Sequence, residues 1–89
     1  MDNTNQLLYV TVKNPSGTQY QGHAESVTSY NNGGIFDVMG YHTNFISLIK
    51  NAVIIHEKEK KDITIPVENG IIKVYENTVT VFLGITSVS

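Results

Sequence analysis

Apolar residues recurring at every second position leave this chain few ways to fold. Leu8, Val10 and Val12 share one phase, with Leu7, Tyr9, Thr11 and Lys13 in the other. Ile63, Ile65 and Val67 alternate with Thr64, Pro66 and Glu68, and Val79, Val81 and Leu83 repeat the pattern near the end. Successive side chains of an extended strand point to opposite faces, so such runs make half-buried strands and break the 3.6-residue stripe that a helix needs. Residue choice agrees: ten Val, ten Ile and nine Thr stand against four Leu and two Ala. β-Branched side chains lose freedom in a helix and pack well on a pleated surface. The expected class is all-β.

Turn chemistry divides the chain. Asn14-Pro15-Ser16-Gly17 reads as a turn, with proline setting one dihedral and glycine free to take positive φ. Residues 18–30 read as one long strand in which Gly22 marks a bulge or bend. Asn31-Asn32-Gly33-Gly34 is a sharp break, residues 35–38 a short strand, and Met39-Gly40-Tyr41 a corner. Residues 45–49 fit either a strand or one helical turn. Residues 52–57 read as a strand and 58–61 as a charged, solvated loop. Asn69-Gly70 is the strongest hairpin signal, since both residues tolerate the positive φ of a type I′ turn, and Asn77 marks another turn. Pro66 cannot donate to a ladder and belongs at a sheet edge or bulge. Eight to ten short strands at this spacing, in a single domain over residues 1–89, imply a sandwich or barrel.

The totals narrow the function. The net charge is −2 and none of the six basic residues is arginine. Bidentate recognition of phosphate or guanine therefore has no donor, which argues against nucleic acid. There is no cysteine, so disulfides and thiolate metal sites are excluded, in keeping with a reducing compartment. The longest apolar run, Ala52-Val53-Ile54-Ile55, is far too short for a membrane span. The polar start, Asp2-Asn3-Thr4-Asn5-Gln6, does not read as a secretory signal.

No catalytic constellation emerges. His42 has Asp37 five positions before it, but no nucleophile-elbow pattern accompanies them. His23, His42 and His56 are spaced by 19 and 14 residues, which matches no compact metal-ligand motif. Gly33-Gly34 precedes a β-prone run rather than a helix, so it suits a turn better than a phosphate cradle. Neither a cofactor nor a metal is expected. Tyr9, Tyr75 and Phe82 carry more information. Each is out of phase with the aliphatic stripe of its own strand, so each is expected to point outward. They suit cross-strand pairing or a patch that binds a partner.

The ordered series of motifs resembles the epsilon subunit of the rotary proton-translocating ATP synthase. Phe36-Asp37-Val38-Met39-Gly40-Tyr41-His42 and the apolar run after it are similar to that family's corner, which runs Leu-Pro-Gly-His between apolar stretches. Met39, Gly40 and Tyr41 replace Leu, Pro and Gly, while the histidine is kept as His42. Pro15-Ser16-Gly17, Tyr20-Gln21-Gly22, Ala24-Glu25-Ser26-Val27, Asn69-Gly70-Ile71-Ile72-Lys73-Val74 and Asn77-Thr78-Val79-Thr80-Val81 look like its other landmarks, so the likeness runs from Leu7 to Ile85. Ile35 stands where the family usually has an acidic residue. The resemblance implies a two-layer β-sandwich of about ten strands acting as a non-catalytic coupling subunit of the central stalk. It implies the gamma subunit and the membrane ring as partners, with Gly34, Ile35, Asp37, Gly40, Tyr41, His42, Tyr9, Tyr75 and Phe82 as contact residues. It also implies a peripheral place on the inner face of the cell membrane within that complex. Nothing helical is expected after Leu83, where the family carries a helical hairpin for ATP binding and inhibition, so neither property is expected here. The alternative is a stand-alone protein-binding module of the same fold.

Overall fold

A computed structural model describes residues 7–40 and 44–84. Seven strands account for most of them: β1 (Leu8–Asn14), β2 (Gly17–Ala24), β3 (Ser26–Asn31), β4 (Gly34–Met39), β5 (Phe45–His56), β6 (Ile63–Tyr75) and β7 (Thr78–Leu83). They join in the order β2-β1-β7-β6-β5-β3-β4. β1 and β7 run parallel, and the other neighbours are antiparallel. No helix forms among the described residues. The all-β expectation holds, with seven strands in place of about ten.

The smaller count comes from β5 and β6, which are long enough to serve both layers. Residues 45–49 of β5 pair with 70–74 of β6, and residues 51–55 pair with 63–67. Between the two blocks Glu68 and Asn69 face only Lys50, which is a β-bulge, and Asn51 takes a positive φ of 70°. The sheet folds over there. One layer holds β2, β1, β7 and the adjoining halves of β6 and β5. The other holds the remaining halves, β3 and β4. Residues 45–49 are therefore strand rather than a helical turn, and they run on into the strand expected at 52–57.

One apolar cluster fills the space between the layers. Leu8, Val10 and Val12 of β1 and Val79 and Val81 of β7 meet Val27, Val38, Val53 and Ile55 from the other layer. The alternating stripes thus face inward as expected, each side chain contributing on the order of 1.5–3 kcal/mol by leaving water. Ser29 is fully buried, and its hydroxyl donates to the Ala52 carbonyl at 2.9 Å. Register slips between β3 and β5 around Ser29, and the hydroxyl takes a carbonyl at this break in the pairing.

Three local expectations are corrected. Asn69-Gly70 is not a hairpin turn. Both residues lie inside β6, neither has positive φ, and Gly70 is buried opposite Ile49 and Leu83. A Cβ at Gly70 would sit 2.7 Å from the Phe82 carbonyl oxygen, so glycine is there because two backbones approach closely. The two-residue turn with positive φ is Glu76-Asn77, at 46° and 66°, joining β6 to β7 where a turn at Asn77 was expected. Residues 18–30 are two strands, broken at Glu25, whose amide donates to the His56 carbonyl at 2.8 Å. Gly22 marks no bulge; the β1–β2 register shifts at Val12/Lys13 instead. Its missing side chain makes room for Tyr20, whose hydroxyl oxygen would lie 2.8 Å from a Cβ there.

Other signals are realised as read. Asn14 Oδ1 accepts from the amides of Ser16 and Gly17 at 2.8 and 3.1 Å, closing the first turn. Pro66 lies in the half of β6 that pairs only with β5, at a sheet edge.

Candidate protein-binding face

The outward side of the first layer can be laid out from the pairings alone. His23, Tyr9, Thr78 and Tyr75 form one row across β2, β1, β7 and β6. Gln21, Thr11, Thr80, Lys73 and Ile46 form the next, reaching β5. Lys13, Phe82, Ile71 and Leu48 form the third. Each member has the opposite phase to the core residues of its strand, which is why a period of two displays both sets at once.

Tyr9, Tyr75 and Phe82 therefore point outward together, as their phase implied, and are 37, 54 and 38% exposed. Ile46 and Leu48 join them at 67 and 70%. Residues 45–49 could be read as strand or helix from sequence, so no phase could be assigned to these two. Tyr9 leans on His23, ring centroids 5.1 Å apart and tilted by 58°. Between the aromatic rows runs a shallow groove lined by Lys73, Tyr75, Thr78, Thr80 and Phe82. Apolar residues and threonines dominate the surface, so a partner could cover it at little cost in desolvation.

The remaining predicted contact residues lie elsewhere. Gly34 closes the β3–β4 turn with φ 117°, beside Asn31, whose side-chain oxygen accepts from the Gly33 amide at 2.8 Å. The Asn31 amide also donates to Ser47 Oγ at 3.2 Å, which ties this turn to β5 between Ile46 and Leu48. Ile35 is 64% exposed on β4. Gly40 follows the far end of β4, so Gly34 and Gly40 are separated by the full strand, about 20 Å. Tyr41 and His42 lie outside the described residues.

Asp37 is engaged on the outer side of the second layer. It accepts from Thr28 Oγ1, which lies 2.8 Å from His56 Nε2, and His56 Nδ1 is 3.0 Å from Asp62. This chain joins β4, β3, β5 and the β5–β6 loop. It draws on residues up to 34 positions apart, so local sequence gave no hint of it. The same loop is also anchored through Glu57, which accepts from the Tyr20 hydroxyl of β2. Burial first, and then the hydrogen bond and charge of Glu57, push the Tyr20 phenol up to about 12. The two described histidines lie apart, His23 packed against Tyr9 and His56 on the second layer, and His42 is outside the described residues.

Comparison with known proteins gives these surfaces a context. Residues 7–84 match the family described as ATP synthase, Delta/Epsilon chain, beta-sandwich domain. The chain is 34% identical over 77 residues to the ATP synthase epsilon chain of Sulfurimonas denitrificans, covering 85% of this chain and 59% of that one. It thus spans about three fifths of that relative's length. Its fold is similar to a chain in the Euglena gracilis mitochondrial ATP synthase OSCP/F1/c-ring structure. There the TM-score is 0.82 at 14% identity, over 92% of this chain and 53% of that one. A chain of the Tetrahymena thermophila mitochondrial ATP synthase central stalk and c-ring gives 0.68 at 15% identity, over 91% of this chain and 66% of that one. These two likenesses concern the fold. The strand pattern, the two-layer core and the match over residues 7–84 lead to one assignment: the chain belongs to the β-sandwich domain family of the ATP synthase delta/epsilon chain.

Proposed function

We propose that the chain is a non-catalytic coupling subunit of an ATP synthase central stalk. The outer face of the first layer holds the gamma subunit, and the segment from Gly34 to His42 meets the membrane ring. The complex then keeps it peripheral on the inner face of the membrane. The observation that carries this reading is the set of five exposed large apolar side chains, Tyr9, Ile46, Leu48, Tyr75 and Phe82, on one face of a domain of this family. Coupling of this kind requires stiffness, and a close-packed sandwich deforms little under load. The chain contributes shape and contact to the reaction, and no catalytic group or cofactor.

Co-purification with gamma from native membranes tests the reading. The Tyr75→Ser/Phe82→Ser double variant is expected to weaken the association by about tenfold or more, because exposed aromatics that become buried dominate interface energies. An Ile35→Cys variant is expected to cross-link to a subunit of the ring. Native pull-downs free of synthase subunits would refute the proposal and favour a stand-alone binding module.

A further inference from the structure

The charges on this face are sorted by sign. In its three rows the charged side chains are Lys13 and Lys73, both exposed, and there is no carboxylate. Seven of the carboxylates lie among the described residues, and all are outside these rows: Glu25 at a bend, Glu76 at a turn, Glu68 in the β6 bulge, Asp37 on β4, and three in the β5–β6 loop. Away from the face, four lysines stand against these seven carboxylates, a net of −3 among the described residues. Neither Lys13 nor Lys73 pairs with a carboxylate among the described residues. Lys13 stands opposite Phe82 and Lys73 opposite Thr80. Two strand spacings across and two residues along place their Cα atoms about 12 Å apart, with Thr80 and Phe82 of β7 between them.

We infer that the gamma surface docked here is an apolar ridge flanked by two carboxylates about 12 Å apart, one for each lysine. The inference rests on the coupling-subunit reading and specifies the partner's chemistry. Apolar contact supplies most of the affinity. The two lysines set register and speed encounter, and a basic partner is excluded by like-charge repulsion.

The test measures binding of this chain to the gamma subunit of the same organism, for wild type, Lys13→Glu/Lys73→Glu and a control reversal, Lys58→Glu/Lys61→Glu, in the β5–β6 loop. All four positions are exposed, and melting curves establish that each variant is folded. The face reversal is expected to lower affinity at least about tenfold and to abolish its decline with added salt, with the control unchanged. Replacing the facing carboxylates of gamma by lysine is expected to restore binding to the reversed variant. Wild-type binding that the face reversal leaves unchanged would overturn this inference alone. Absence of wild-type binding to gamma would overturn the coupling reading and this inference with it.

Discussion

Gly70→Ala tests the claim that close backbone approach, rather than a turn, selects glycine inside β6. The added Cβ would lie 2.7 Å from the Phe82 carbonyl oxygen, some 0.6 Å inside the roughly 3.3 Å at which carbon and carbonyl oxygen ordinarily meet. That oxygen belongs to the main chain of β7, which is paired to β6 on one side and β1 on the other. Relief therefore requires displacing β7 or opening the Gly70/Leu83 and Ile71/Phe82 pairings. Overpacking of this sort costs about 1–3 kcal/mol, while removing a mid-strand glycine returns about 0.5–1 kcal/mol. The net loss is about 1–2 kcal/mol, which lowers Tm by roughly 5–15 °C for a domain of this size. Thermal melts by circular dichroism of wild type, Gly70→Ala and Gly70→Asn decide the matter. A type I′ turn would favour asparagine over alanine, because asparagine tolerates positive φ. In the strand, the longer side chain must also enter a space where Ile49 Cγ1 and Leu83 Cδ2 are already 3.5 Å from the Cβ. Gly70→Asn should melt below Gly70→Ala; the reverse order would refute the argument.

The other predictions concern the core, a turn and the loop anchor. Ile72→Ala removes a fully buried side chain and should cost about 2–5 kcal/mol, read as a lower denaturant midpoint. Asn14→Ala takes away the acceptor for two turn amides and should cost about 1 kcal/mol by the same measurement. Tyr20, pushed up to about 12 from 10.0, keeps its proton in the folded chain after the unfolded chain has lost it. Its stabilisation is thus complete below pH 10 and declines as the pH rises towards 12. Tyr20→Phe should flatten the stability profile in that window, and ultraviolet difference titration of wild type against this variant should show the Tyr20 phenol ionising towards pH 12.

Much of the architecture was readable because burial here follows phase. Leu8, Val10, Val12, Val79 and Val81 face the core, and the same arithmetic placed Tyr9, Tyr75 and Phe82 outside. Pro66 at an edge and the turn at Asn14 follow from single-residue chemistry. What failed was punctuation. Asn69-Gly70 has the composition of a tight turn, yet the nearness of β7, a contact made by residues more than ten positions away, decides its conformation. Residues 18–30 have strand character throughout, and only the change of layer at Glu25 divides them. Ile46 and Leu48 were missed because residues 45–49, apolar apart from Ser47, are too short a run to tell one period from the other. The Asp37–Thr28–His56–Asp62 chain is assembled from four separate elements and has no local signature.

Because β5 and β6 each run through both layers, the molecule has no seam along which it could come apart. A backbone cut at the bulge after Lys50 would leave fragments that each hold unpaired parts of both layers, and neither could close a core alone. The domain should open as a whole, and amide protons from residues 47–55 and 65–72 should exchange last, only through global unfolding.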